Sequence, residues 1–144
     1  MLKLSWDIAP TEDRRKISSG SQWEDNFGFS RAVRAGNLIE VSGTTALDSG
    51  RVFGAGDAYE QTRFILRRIE RAVWQAGGRF EDIIRTRIYV TDIRDSEAIG
   101  RAHGEFFRDV RPASTLVEVR GLFLPELLVE IEATAYVPSG NKLQ

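Results

Sequence analysis

Cysteine is absent from the 144-residue sequence, and histidine occurs only once, as His103. Without thiols the chain can form no disulfide, no thiolate metal site and no catalytic cysteine. A single histidine also argues against a zinc site and against a serine–histidine or cysteine–histidine nucleophile pair. We therefore expect no metal ion, and we interpret His103 as a packing or capping residue.

An excess of charge of one sign is also lacking, because 20 basic and 21 acidic residues give a formal net charge of −1. The charges are interspersed, so no basic field is available to hold a polyanion. No apolar run approaches the roughly 20 residues that span a bilayer, and the N-terminus lacks the apolar stretch of a secretory signal. These absences predict no nucleic-acid partner, no membrane partner and a cytoplasmic location.

The length and the hydrophobic fraction of 42% suit one α+β domain. Residues 1–26 are polar and weakly periodic, which indicates an N-terminal arm. Residues 27–138 carry the periodic pattern of a folded domain, and residues 139–144 form a short C-terminal tail.

Two amphipathic helices are predicted within this domain. The first begins at Asp57, a capping residue followed three positions later by a glutamate, and ends at the glycine pair 77–78. The second is capped by Asp95 or Ser96 and ends before Pro112.

Strands are predicted on both sides of these helices, beginning with a hairpin that turns at RAGN, residues 34–37. Alternation along the strands divides their side chains into two sets. The apolar set, which we expect to face the helices, is Ile39, Val41, Ile84, Thr86, Ile88, Val90, Val117, Val119, Val129, Ile131 and Ala133. The polar set, expected on the helix-free face, is Glu40, Ser42, Arg85, Arg87, Tyr89, Ser114, Leu116, Glu118, Arg120, Glu130, Glu132 and Tyr136.

The polar face admits two interpretations. Antiparallel sheets often leave one face in water, so these charges are simply solvated in the first. In the second, the face lies against neighbouring subunits, where charges must be paired and where the seams form concave ligand sites.

Five segments together resemble the signature blocks of a known family: SRAVRAGNLIEVSGTTA, RTRIYVTDI, RAHGEFF, RPASTLVEV and LLVEIEATA. In order and spacing they look like the RidA/YjgF family, from about Phe27 to Val137. The resemblance implies a chorismate-mutase-like fold with a mixed, mostly antiparallel sheet and two helices on one face. It also implies a homotrimer with small-molecule clefts between subunits, and no cofactor.

Family members with demonstrated chemistry hydrolyse reactive enamines and imines to 2-oxo acids and ammonia. By resemblance, Glu130 matches the family's water-positioning glutamate and is the catalytic candidate. Ser42 and Gly43 match the family's pocket SG, and Phe29 stands at a family tyrosine. We predict that all three contact the substrate.

Ser114 stands where the family carries the arginine that anchors the substrate carboxylate. A neutral hydroxyl cannot replace the paired, charge-assisted hydrogen bonds of a guanidinium. Arg87 and Arg31 are therefore candidate anchors for an anionic or imine-type ligand, with Ser114 retained at the substrate. The alternative for Arg87 is that it only neutralises Glu130 or Glu132.

Two classes of function remain open on the sequence alone. The first is an imine or enamine deaminase acting on a non-archetypal substrate. The second is a non-catalytic trimer that binds a metabolite and regulates a partner. A third, endoribonuclease activity, is disfavoured by the balanced charge and the absence of a basic groove.

Overall fold

The computed structural model describes residues 14–139, in which a six-stranded sheet carries two long helices on one face. In chain order the elements are β1 (Arg14–Ile17), α1 (Gln22–Phe27), β2 (Ala32–Ala35), β3 (Leu38–Thr44), β4 (Leu47–Asp48), β5 (Arg51–Val52), α2 (Ala58–Gln75), β6 (Ile83–Val90), α3 (Ser96–Phe107), β7 (Ala113–Glu118) and β8 (Val129–Tyr136). Strands β4 and β5 form a separate small ribbon. The predicted α+β class is confirmed.

The sheet has the order β1-β2-β3-β8-β6-β7. All neighbours are antiparallel except β6 and β7, which run parallel and are joined through α3. The predicted mixed, mostly antiparallel sheet is therefore confirmed. Within residues 14–139, no helix is both long enough and apolar enough to cross a membrane.

Local sequence signals place the hairpin and α2 correctly. The β2–β3 turn uses Gly36 at φ 58°. The Asp57 carboxylate caps α2 by accepting a 3.0 Å hydrogen bond from the backbone N–H of Glu60. Gly77, at φ 84°, takes the left-handed conformation that follows the helix.

The second helix lies within its predicted bounds. Asp95 occupies the N-cap position of α3, but its side chain makes no capping hydrogen bond. The helix ends at Phe107, well before Pro112, because the chain turns at Arg111, whose φ is 52°. Val110 therefore packs against the core from outside the helix.

The core lies between the helices and the sheet. Ile65, Leu66 and Ile69 of α2 are fully buried, as are Ile39 of β3 and Ile131 of β8. Burial of one such side chain stabilises the fold by roughly 1.5–3 kcal/mol. This layer fixes α2 over β3 and β8, the strands that carry Gly43 and Glu130.

The predicted faces are wrong for β7. In a parallel pair, residues that lie level share a face, and Ser114 lies level with Thr86, which is fully buried on the helix side. Val117 is 42% exposed on the opposite face. The β7 residues assigned to the wrong face are Ser114, Leu116, Val117 and Glu118.

A β-bulge reverses the prediction at the start of β6 as well. The register with β8 shifts between Ile83 and Arg85. Ile83 is thereby buried, whereas Ile84, assigned to the core by alternation, is 50% exposed. The extra residue of a bulge breaks the two-residue period from which faces are predicted.

The region predicted as an arm contains two elements that alternation did not reveal. Strand β1 pairs with β2, and α1 is capped by Ser21 at its start and by Gly28, whose φ is 70°, at its end. These elements place Trp23 and Phe27 beside the site described below. Residues 1–13 and 140–144 lie outside the described part of the chain.

Gly78 has no room for a side chain. A Cβ there would lie 2.8 Å from Cδ1 of Ile39 and 3.0 Å from Cγ1 of Val73. We expect Gly78→Ala to lower the free energy of unfolding by about 1–3 kcal/mol, measured by urea denaturation. The matched control is Gly100→Ala in α3, where no atom lies within 4 Å of the added Cβ. That change should stabilise the protein by roughly 0.5–1 kcal/mol, and equal effects of the two would contradict the packing argument.

Candidate functional site

One pocket, of about 200 Å³, brings together four of the predicted site residues. Its wall includes Trp23, Phe27, Phe29, Arg31, Gly43 and Glu130. We call it the Glu130 pocket. Strands β3 and β8 supply Gly43 and Glu130, and the segment between α1 and β2 supplies Phe29 and Arg31.

Gly43 lies between the Arg31 guanidinium and the Glu130 carboxyl of this pocket. The β3 register with β8 shifts between Val41 and Thr44, so Gly43 sits in a bulge. Its carbonyl accepts a 2.6 Å hydrogen bond from Nη2 of Arg31. A Cβ at position 43 would lie only 2.5 Å from Oε1 of Glu130, so the missing side chain provides the space for that carboxyl.

The Glu130 carboxyl is in an environment that favours its neutral form. Burial raises its pKa above the ordinary value of 4.5, Arg31 partly opposes this shift, and neighbouring Glu132 adds to it. A carboxyl group with a raised pKa can exchange a proton nearer to neutral pH. Glu130 thus has the physical properties of a general acid–base group.

Arg31 is the cation that faces this carboxyl. Burial and the nearby Arg68 lower the pKa of Arg31, whereas Glu24 and Glu130 oppose the shift. The guanidinium remains charged, because arginine does not lose its proton in proteins. It also lies over the Phe29 ring, with its Cζ 5.9 Å from the centroid.

Aromatic side chains form the outer wall of the pocket. Trp23 stacks on Phe27 at 5.5 Å and meets Phe123 edge-on at 4.7 Å. Phe27 and Phe123 are 68% and 60% exposed, so this chain leaves the mouth of the pocket uncovered. Sequence reasoning missed these rings and Arg68, because neighbours drawn from distant segments leave no periodic signal.

Three other predicted residues do not line the pocket. Ser42 donates its hydroxyl to the Ser30 carbonyl at 2.7 Å, which ties β3 to the segment bearing Arg31. Arg87 lies on the helix-free face, level with Glu132, and forms no ion pair within residues 14–139. Instead, Glu132 accepts a hydrogen bond from Tyr89, which raises the pKa of that phenol.

Ser114 belongs to a separate polar chain beneath α3. Thr86 donates a hydrogen bond to the Ser114 hydroxyl at 2.8 Å, and Nε2 of His103 lies 2.9 Å from the Thr86 hydroxyl. Burial lowers the pKa of His103, which favours the uncharged ring. Phe107 packs against that ring at 4.5 Å, so the geometry agrees with a packing role for this histidine.

Metal ligands are not clustered anywhere in the part of the chain that the structure describes. No group of three or more histidine, aspartate or glutamate side chains there is arranged to hold an ion. The polar side chains of the Glu130 pocket are the guanidinium groups of Arg31 and Arg68, the Glu130 carboxyl and the hydroxyls of Ser21 and Thr45.

Comparison with known proteins places this geometry in a family. The family model described as Endoribonuclease L-PSP matches residues 23–137. The 3-aminoacrylate deaminase RutC of Acinetobacter baylyi is 38% identical over 74% of this chain and 84% of that protein. An uncharacterized Streptomyces coelicolor protein, SCO2049, is 44% identical over 88% of this chain and 94% of its own length.

A solved structure agrees with these sequence matches. Rv2704 of Mycobacterium tuberculosis, described as a member of the YjgF/YER057c/UK114 family, is 49% identical and superposes with a TM-score of 0.79. The superposition covers 86% of this chain and 99% of that one. The protein therefore belongs to the endoribonuclease L-PSP family, which is the YjgF/RidA family that its signature blocks resemble.

Proposed function

We propose that the protein hydrolyses an imine or enamine of a small carboxylic acid to a carbonyl compound and ammonia. The observation that carries the proposal is the Glu130 carboxyl, half buried with a raised pKa, in one pocket with Arg31. Membership of a family that includes a deaminase relative supports the same reaction class. The substrate differs from that of the family members that carry the anchoring arginine, because Ser114 cannot bind a carboxylate as an arginine does.

In the proposed reaction, Arg31 binds the substrate carboxylate and Glu130 moves protons. The protonated carboxyl gives its proton to the imine nitrogen, and the resulting carboxylate then accepts a proton from the attacking water. Water adds to the C=N carbon to give a carbinolamine. Glu130, protonated again, gives its proton to the amino group and takes the hydroxyl proton as the C–N bond breaks, which leaves a C=O group and ammonia. Once a neighbouring subunit covers the mouth of the pocket, the aromatic wall excludes bulk water and strengthens both electrostatic contacts.

We also propose that the active assembly is a homotrimer with the cleft completed by a neighbouring subunit. Its support is the uncovered mouth of the Glu130 pocket and the exposed edge strand β7. Leu38 and Tyr136, 45% and 46% exposed, add apolar area to the helix-free face. Sedimentation equilibrium is expected to give three times the chain mass, and a monomer at micromolar concentration would contradict this assembly.

The test of the reaction is release of ammonia and 2-oxo acid from imines that an amino-acid oxidase generates in situ. Purified protein is expected to accelerate this release for at least one of a panel of amino acids. Ser114→Arg is assayed beside it, to restore the family's anchor. Activity gained only in that variant, with none in the wild type, would contradict the proposal.

A binding protein without turnover is the second candidate, and the Ser114–Thr86 hydrogen bond favours it. That bond engages the hydroxyl at the position where the family presents an anchoring cation. In this case the same pocket binds a small acid and reports it to a partner. Saturable binding of 2-oxo acids without product release would identify it.

Gly43→Ala separates the geometry of the pocket from the stability of the fold. The added methyl group is expected to displace the Glu130 carboxyl, because a flexible side chain moves more easily than the β3 backbone. A displacement of this size should lower kcat/KM by roughly ten- to a hundredfold. The free energy of unfolding, measured by urea denaturation, should change by less than about 1 kcal/mol, since only the end of the Glu130 side chain moves. Unaltered kcat/KM would show that the position of Glu130 is unimportant.

A further inference from the structure

A second cavity adjoins the Glu130 pocket and is lined by arginines. It has a volume of about 320 Å³, which is within the range of small-ligand sites. Its polar wall consists of Arg31, Arg68, Arg71, Ser18, Ser19 and Asp48. We call it the basic chamber. Arg31 and Arg68 line both cavities, so the two share a wall.

The residues that line the basic chamber carry an excess of positive charge, although Glu24 and Glu130, beyond the lining, partly offset the charge of Arg31. Three guanidinium groups and the single carboxylate of Asp48 give a formal charge of 3 − 1 = +2. None of the three arginines forms an ion pair within residues 14–139. Arg68 is held instead by a neutral acceptor, the Leu47 carbonyl, at 2.7 Å.

Arg31 has an unpaired hydrogen-bond donor in this arrangement. Its Nε is buried and has no hydrogen-bond partner within residues 14–139. Buried donors in folded proteins are nearly always bonded, so one left free at a cavity wall requires an explanation. The pKa of Arg31 is lowered first by burial and second by repulsion from Arg68. An anion in the chamber would relieve the repulsion.

The spacing of residues along α2 places Arg68 and Arg71 on the helix face that lines the chamber. Phe64, Arg68, Arg71 and Gln75 recur at intervals of three and four residues, which places them on one face of the helix. All four line the chamber. Two like charges three residues apart destabilise an isolated helix, so the pair is unfavourable unless an anion bridges it.

We infer that the basic chamber binds a small oxyanion, a carboxylate or a phosphate group, between Arg31 and the two arginines of α2. Guanidinium groups suit this ligand because their planar N–H donors match the paired oxygens of both groups. Ser18 and Ser19 also line the chamber, but the Ser19 hydroxyl donates to the Glu24 carboxylate, so the donors for the anion are the guanidinium groups. The chamber shares Arg31 with the Glu130 pocket, but anion binding there does not require that pocket to hydrolyse imines.

The test is isothermal titration calorimetry of the intact protein with inorganic phosphate and, separately, with malonate, at constant ionic strength. Arg71→Gln removes one chamber arginine from an exposed position, where the fold should be unaffected. Arg67→Gln is the control, because it makes the same charge change on α2 outside the chamber.

We expect saturable binding of at least one anion, near one equivalent per chain, weakened about tenfold or more by Arg71→Gln and little by Arg67→Gln. The anion that binds more tightly identifies the oxyanion class. Absence of saturable heat with both anions would overturn the inference. Equal weakening by the two substitutions would do so as well, since it would indicate only the general positive field of α2. No turnover is measured, so this result is independent of the imine assay.

Discussion

Replacement of Glu130 by glutamine is expected to lower kcat/KM for imine hydrolysis by about 10²- to 10⁴-fold, the usual contribution of a general acid–base group. The amide keeps the shape and much of the hydrogen bonding of the carboxyl but can neither give nor take the proton. The fall should appear mainly in kcat, because Arg31, which binds the carboxylate, is retained. The measurement is the rate of ammonia release at several substrate concentrations.

Glu132→Gln is the matched control for this substitution. Glu132 lies two residues further along β8 on the same helix-free face, but it does not line the Glu130 pocket and bonds to Tyr89 instead. Its replacement should leave kcat/KM within about threefold, the effect of a surface substitution of roughly 0.5 kcal/mol. If the two variants lost activity equally, the loss would come from the charge of the face and not from proton transfer.

The raised pKa of Glu130 also fixes the sign of a stability effect. Burial makes the folded protein bind this proton more tightly than the unfolded chain, whose carboxyl titrates near 4.5. The associated stability is fully present below that value and is lost as the pH rises through the folded pKa. The free energy of unfolding of Glu130→Gln should therefore equal or exceed that of the wild type at pH 7. The difference between the two free energies should vanish near pH 4. Greater sensitivity at pH 7 would contradict the raised pKa.

Replacement of Gln61 by leucine is expected to lower the free energy of unfolding by about 3 kcal/mol or more. Gln61 is fully buried. Its Nε2 donates to the carbonyls of Gly54 and Glu126, at 3.2 and 2.9 Å, and its Oε1 accepts from the N–H of Leu128 at 2.9 Å. Leucine fills a similar volume but leaves three partly buried backbone groups without their hydrogen-bond partner. Urea denaturation at matched protein concentration measures the loss.

Gln75→Leu is the control for this prediction. Gln75 is the last residue of α2, half buried, and its side chain makes no hydrogen bond within residues 14–139. Its replacement should change stability by no more than about 0.5 kcal/mol. If Gln61→Leu unfolded at the same urea concentration as Gln75→Leu, water would be satisfying the backbone groups in place of the amide.

The parts of the fold that depend on neighbouring residues were predictable from the sequence. The Asp57 cap, the glycine at the end of α2 and the β2–β3 turn are each determined within a few positions. The faces of β3 and β8 followed from strict alternation against a single buried layer. Such features need no knowledge of which segments meet.

Features that depend on pairing between distant segments were not predictable. The register of β7 against β6 decides which face Ser114 occupies, and alternation along TLVEV suits either choice. The bulge at Gly43, the hydrogen bonds of Gln61 to distant backbone groups and the convergence of Arg31 with Arg68 arise from contacts across the fold. Four predicted site residues do meet in one pocket. They could be predicted because the resemblance to the family identified them without knowledge of the strand pairing.

The contacts of Gly43 with both Arg31 and Glu130 also affect how this site can diverge in evolution. One backbone position holds the Arg31 guanidinium through its carbonyl and leaves space for the Glu130 carboxyl through its missing side chain. Substitutions at the cation and at the acid are thus linked through a shared neighbour, and their effects should be strongly non-additive. New specificities in a library are then expected to require paired changes at positions 31 and 130, with glycine kept at 43.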